Sequence, residues 1–248
     1  MAAGLVLGLT ACGGGGNGKA DPVADLKAAA GKAAEQNSYK AKGTSKDHEG
    51  ETSLEMLYSE KPWASDLKGT GPKSADNPTG EIRMMNTGGN LYIKSGEPVG
   101  GKAWMKVEVG EARQAPKSDS MRSAGLQAAV LATSKDVKKV GEEKVGGRKT
   151  THYKGTVTLS ELAAYKGDLL TEKQRDSYAQ PAMYGGAKTL DLDVWVDAND
   201  LPAKTRESSK GSKGESTTTL EFLEYGLKVN VQPPPAGEVA SMKDMMKG

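Results

Sequence analysis

Few side chains in this chain of 248 residues are equipped for covalent or acid–base chemistry: there is one cysteine, Cys12, and two histidines, His48 and His152. A single thiol can form no intrachain disulfide and cannot assemble a cysteine-based zinc site. The histidines stand far apart, with no ligand spacing around either, and both read as ordinary polar strand or loop residues. Ser65-Asp66-Leu67-Lys68 matches S-x-x-K, but it lacks the S-D-N and K-T-G partners that chemistry needs and falls where a strand meets a loop. Asp191 and Asp193 share one strand face and would offer a carboxylate pair or a cation site, although alternation alone makes them a solvated face. Lys135, Lys138, Lys139 and Lys144 could meet anionic headgroups, yet interleaved acids make them a solvated face too. No G-x-S-x-G, H-E-x-x-H or P-loop occurs in the sequence. The chain is therefore read as a non-enzyme, with no cofactor and no metal expected.

The elements that would position these residues are mostly strands. Leu, Val, Ile and Phe make up about 15% of the residues, below the ~20% at which disorder becomes an issue, but the net charge of +2 gives no reason for the chain to expand. The same balance gives no electrostatic drive toward nucleic acid. Asp21-Pro22 reads as a cap with proline at the first helical position, and Val23, Leu26, Ala30 and Ala33 share a face to about Asn37. From Tyr39 the period drops to two. Leu54, Met56 and Tyr58 alternate with Ser53, Glu55 and Leu57, and Leu91 and Ile93 with Tyr92 and Lys94. Ala103 to Val107 is another strand-like run after the Gly100-Gly101 turn.

A second helix is predicted from Ser120 to about Thr133, around Leu126, Val130 and Leu131. Two strands joined at Gly146-Gly147 follow, then a broken helical excursion from Leu159 to Pro181. The clearest strand is Lys188 to Asp197, with Leu190, Leu192, Val194 and Val196 on the buried face and Asp191, Asp193 and Trp195 on the wet one. The last strand changes phase: Leu220 and Phe222 occupy one register, whereas Leu223, Tyr225, Leu227, Val229 and Val231 occupy the other. Such a switch requires a bulge or a strong bend. Pro233 to Pro235 stops it, and a short helix is expected after Gly237. The spacing is that of an antiparallel meander rather than of βαβ units.

Residues 1–11, MAAGLVLGLTA, form an apolar run too short to span a bilayer and of signal-peptide length, without the basic n-region that usually precedes it. Leu9-Thr10-Ala11-Cys12 resembles the lipobox of bacterial lipoproteins, in which the cysteine becomes the acylated N-terminus. Gly13 to Gly18, interrupted only by Asn17, suits a flexible tether. The reading is a signal peptide over 1–11, a lipidated Cys12 with its tether over 12–20, and one domain over 21–248. Two acyl chains at ~0.8 kcal/mol per buried methylene would make the anchor effectively permanent.

Four pieces carry a wider likeness: Leu91-Tyr92-Ile93-Lys94 with Trp104-Met105-Lys106-Val107; Val145-Gly146-Gly147 leading to His152-Tyr153-Lys154-Gly155; Val194-Trp195-Val196-Asp197 ending at Leu201-Pro202; and Tyr225-Gly226 through Val229 and Val231 to Pro234-Pro235 and Glu238-Val239. With the lipobox, they resemble actinobacterial lipoproteins of the LprG/LppX group, which is similar in fold to the LolA and LolB carriers. The resemblance implies an α+β, mainly β fold: a strongly curved antiparallel sheet, a half-barrel, wrapped over two or three helices and enclosing an apolar cavity for acyl chains.

Alternation nominates Leu54, Met56, Ile93, Leu126 and Leu192 as cavity lining, and the ten methionines suit an irregular apolar space. The expected protein is a monomer in the cell envelope, held to the outer side of the cytoplasmic membrane by Cys12 and binding a lipid or acyl chain. The alternative is a surface lipoprotein that acts as an interaction or sensor module with a filled core.

Overall fold

Asp21 caps the first helix as its sequence suggests: its carboxylate accepts from the N–H groups of Val23 and Ala24, Pro22 takes the first position, and α1 runs Pro22–Ala34. The computed structural model describes residues 21–75, 77–109 and 123–240, so Cys12, its tether and Met121 lie outside the described residues. After α1 come six strands in succession: β1 (Ser38–Asp47), β2 (Gly50–Ser59), β3 (Ala64–Thr70), β4 (Glu81–Thr87), β5 (Asn90–Val99) and β6 (Lys102–Glu108). Helix α2 (Ala124–Leu131) begins at a Ser123 cap, shorter than the predicted span. Then follow β7 (Lys138–Val145), β8 (Arg148–Thr158), α3 (Leu159–Ala164), α4 (Glu172–Tyr184), β9 (Thr189–Asp197), β10 (Pro202–Gly211) and β11 (Gly214–Tyr225). A 3₁₀ turn (Ala236–Glu238) leads into a two-residue β12 (Val239–Ala240).

Among the described residues twelve strands make one sheet in the order β12-β6-β5-β4-β3-β2-β1-β11-β10-β9-β8-β7. All neighbours are antiparallel except β12, which runs parallel to β6. The two meanders β1–β6 and β7–β11 are joined by the long-range pairing of β1 with β11. This is the open, curved, mainly β architecture that the sequence spacing and the resemblance imply.

The helices pack on one face, here called inner, chiefly against β8, β9 and β10. Under them Leu190, Leu192 and Val194 of β9 join Tyr153 and Val157 of β8, Leu26 of α1, Val130 and Leu131 of α2, and Leu159 and Leu162 of α3 in the principal core. The excursion between β8 and β9 is broken, as expected, into the two helices α3 and α4. A capping box between Thr171 and Gln174 starts the second, and its Tyr178 donates to Glu207 on β10 at 2.5 Å. Among the described residues no helix is long and apolar enough to cross a membrane.

Two sequence expectations fail locally. Trp195, placed on the wet face by alternation, is only 5% exposed, because Val145 and Ala203 pack over it, His152 stacks on it and Lys204 lies across its ring. The last strand does not run on to Val231. The chain leaves the sheet at Gly226, whose φ of 72° is open to glycine but strained for other residues. Val229 and Val231 then cross the outer face of the other meander, where Val231 packs with Ala64, Met85, Tyr92 and Trp104, and Val229 joins them. Thr87 donates to the Val231 carbonyl and fixes the crossing.

Candidate functional site

The site is built where helices of small residues face strands of large ones. Leu26 and Ala29 are the buried positions of α1; the cavity is lined by the small residues beside them, Ala30, Gly31, Ala33 and Ala34, and α2 adds Ala124, Gly125, Leu126 and Ala129. The two helices pack closely: a Cβ on Gly125 would come within 3.1 Å of both the Ala30 carbonyl oxygen and the Ala33 Cβ. Opposite them stand Tyr39 of β1, Tyr58 of β2, and Phe222 and Tyr225 of β11. Methyl groups cannot reach aromatic rings across a helix–sheet gap, so an apolar cavity of about 460 Å³ remains between the layers. That is within the ~300–1,000 Å³ range of small-molecule sites.

The aromatic floor depends on a bulge. Lys40 pairs with Glu224 while Ala41 pairs with Phe222, so Leu223 is the extra residue and Phe222 and Tyr225 come to the same face despite their odd spacing. Their rings stack at 5.8 Å, Tyr39 meets Phe222 edge-on at 5.5 Å, and Tyr58 stacks on Tyr39 at 5.1 Å. Tyr225 donates to the Pro202 carbonyl at 2.8 Å, which fixes the floor to the start of β10. Burial pushes the phenols of Tyr39 and Tyr225 well above their ordinary values, so both stay neutral. At the mouth Lys27 of α1 and Asp168 of the α3–α4 loop approach to 3.7 Å, and Glu60, Gln36 and Gln174 complete the rim.

The residues nominated from sequence are distributed over the molecule. Leu126 lines this cavity. Met56 packs in the cluster of Tyr39, Ala41, Ala124 and Phe222 that forms its floor. Leu54 borders a second, more open groove of about 830 Å³ whose rim is mostly charged, with Lys42, Glu55, Lys68, Lys204 and Glu221. Leu192 is sealed in the principal core, 1% exposed. Ile93 sits half-buried on the inner face of β5, paired with Met84 and Met105 and lining neither space. Of the methionines, Met85 is buried on the outer face and Met84 is exposed.

Sequence reasoning missed the aromatic floor, although Phe222 and Tyr225 straddle the phase switch it identified. A bulge would have been signalled by putting both rings on the apolar side.

The polar candidates sit in ordinary structural bonds. Asp191 accepts from Thr156 at 2.8 Å, whereas Asp193 meets His152 Nε2 at 2.7 Å, so the two do not act as a carboxylate pair. His152 Nδ1 meets Glu143, which also accepts from the Trp195 indole N–H. These bonds tie β7, β8 and β9 together on the outer face. Ser65 accepts from Asn86, while Lys68 pairs with Glu55 on the opposite side of β3. Among the described residues no group of three or more His, Cys, Asp or Glu side chains is placed to hold a metal ion.

A half-barrel sheet with helices over part of its inner face and an apolar cavity between the layers defines the class of protein. The chain belongs to the LppX_LprAFG lipoprotein family, whose profile matches residues 52–231. It is 30% identical over 257 aligned positions to an uncharacterized 31.2 kDa protein of Streptomyces griseus, covering 92% of this chain and 82% of that one. A Streptomyces coelicolor protein described as a lipoprotein is 32% identical over 158 positions, 60% of this chain and 46% of its own length. Among solved structures the fold is similar to LppX of Mycobacterium tuberculosis, with a TM-score of 0.52 and 14% identity over 85% of this chain and 98% of that one. It is also similar to LprF of Mycobacterium bovis, with a TM-score of 0.55 and 13% identity over 86% and 96%. The actinobacterial resemblance seen in the sequence is thus the right one.

Proposed function

We infer that this protein is a non-enzymatic, envelope lipoprotein that binds the hydrocarbon part of a lipid in the cavity between α1, α2 and the aromatic floor. The observation that carries the reading is the mismatch across that gap: Ala and Gly on both helices, rings on the strands, and about 460 Å³ left between them. A largely apolar cavity of this kind accepts hydrocarbon in place of water. Leu126 and Met56 contribute to its wall and floor, and the half-buried inner row of β3–β6, Ile93 included, offers apolar surface to whatever part of a ligand protrudes. Membership of a lipoprotein family and the Leu9 to Cys12 motif together support tethering through Cys12, with the domain on the outer side of the cytoplasmic membrane.

Two measurements test this. A full chain carrying Cys12→Ser, purified without lipid, should take up a fluorescent fatty acid saturably. Ala30→Trp or Ala129→Trp should weaken that uptake more than it lowers the melting temperature, since both side chains line the cavity. A folded, delipidated protein without saturable uptake would instead favour an interaction module with a filled core. Expressed with a complete signal in an actinobacterial host, the wild type should partition into detergent and Cys12→Ala should not. Equal partitioning of the two would remove the anchor.

A further inference from the structure

Tyr39 is 8% exposed, and its hydroxyl has no hydrogen-bond partner among the described residues. Of the other tyrosines on the helix side of the sheet, Tyr153 donates to Asp25 at 2.7 Å, Tyr178 to Glu207 at 2.5 Å and Tyr225 to the Pro202 carbonyl at 2.8 Å, whereas Tyr58, stacked on Tyr39, is only half-buried. A tyrosine buried to this extent ordinarily finds an acceptor, because an orphaned hydroxyl costs its desolvation. Among the described residues the polar side-chain atoms that are sealed without partners are Gln127 Oε1 and Thr205 Oγ1. The Tyr39 hydroxyl is not one of them and keeps access to space, and the space its side chain lines is the cavity. Burial holds the phenol in its protonated form, a donor at any physiological pH.

The charges around the cavity narrow what would accept that donor. Lys27 is the one cation among the described lining residues, and it stands at the mouth opposite Asp168. A carboxylate carried into the depth would be desolvated with no cation beside it, which is costly. An uncharged carbonyl would instead accept from Tyr39 at little cost. In size, about 460 Å³ holds on the order of fifteen methylenes at roughly 30 Å³ each, about the share of a water in the liquid. That is one chain, not two or three.

Resting on the reading of the cavity as an acyl site, we propose that it selects a single acyl chain bearing an uncharged carbonyl, an ester above all, held by a hydrogen bond from Tyr39 Oη. The test compares methyl laurate, laurate and tridecane as competitors of a bound fluorescent acyl probe. It uses the full Cys12→Ser chain and the same chain with Tyr39→Phe or Tyr153→Phe.

The expected result is that methyl laurate binds more tightly than either laurate or tridecane. Tyr39→Phe weakens methyl laurate by about two- to tenfold, the worth of one hydrogen bond, and leaves tridecane and the melting temperature unchanged. Tyr153→Phe, which loses a bond to Asp25 and lies outside the cavity lining, lowers the melting temperature and leaves the ester-to-hydrocarbon ratio alone.

Equal weakening of ester and hydrocarbon by Tyr39→Phe, no weakening of the ester, or tighter binding of laurate than of its ester would each overturn the assignment while the reading of the cavity as an acyl site stands. Failure of all three ligands to compete, with no probe uptake by the folded protein, would overturn both.

Discussion

The strands β8–β10 and the strands β3–β6 belong to one sheet, yet apart from Trp195 and Ala203 they bury their apolar residues on opposite faces. In the first group the inner face is covered by α1 to α4, and Leu190, Leu192 and Val194 are sealed beneath them. In the second the sealed residues, Met85, Tyr92 and Trp104, lie on the outer face under the C-terminal segment that carries Val229 and Val231. The inner row of that meander, Leu67, Ile82, Ile93 and Met105, is only half-buried, and Met84 is 36% exposed. A sheet has two faces, and this chain has covers for about one face at a time. The cavity lies at the seam between the two regimes, on β1, β2 and β11, where the helix layer thins to alanine and glycine. One region holds the fold together and the other leaves apolar surface free.

The largest effect should come from the sealed side. Leu192→Asp would place an unpaired charge among Leu190, Val194 and Val157, and a loss of at least about 4 kcal/mol in urea unfolding is expected. An equal loss for an aspartate at Met84 would erase the distinction between the regions. Trp104→Ala should come next, at about 3 kcal/mol, because it empties the outer cluster. It should also loosen the segment after Gly226, measured as faster proteolysis there. If that segment stays protected, it is not held by the outer cluster.

A smaller contribution is electrostatic. The Asp136 carboxylate accepts from the Ser134 hydroxyl and the Thr156 N–H, and these hold its carboxyl below the usual aspartate value, the Ser134 bond most of all. An acid depressed in the folded state adds stability that is complete above its unfolded pKa and fades as pH falls through its folded one. Asp136→Asn should therefore flatten the acid limb of the melting temperature below about pH 4 and change little at neutrality beyond the altered bonds. An unchanged acid limb would show that the bonds to β8 do not favour the ionised form. The smallest effect should be Met84→Ser, expected at about 1 kcal/mol or less because over a third of the residue is already exposed. A large loss would mean that something covers the inner row after all.

Much of this architecture was legible in the residues. The cap at Asp21-Pro22, the Gly146-Gly147 turn, the alternation of β9 and the phase switch near Phe222 are local signals, set by φ preferences, capping bonds and a period of two, and each appears where the chain predicts it. The lipoprotein kinship was legible as well, in short motifs spread over most of the chain. What the sequence could not decide is which apolar residues share a space, because that depends on elements far apart in the chain.

Leu192 and Ile93 alternate alike, yet one lies under helices and the other beyond their reach. Trp195 looks solvent-facing until a hairpin tip, a histidine and a bulged alanine close over it. Val229 and Val231 alternate like a strand, but Gly226 turns them out of the sheet to cover its other face. Tyr39 and Tyr225 are 186 positions apart and meet only because β1 pairs with β11 across a bulge. Secondary structure was determined by interactions within a few residues. The cavity was decided by the pairing of two meanders and by which stretch of chain happened to lie over each face.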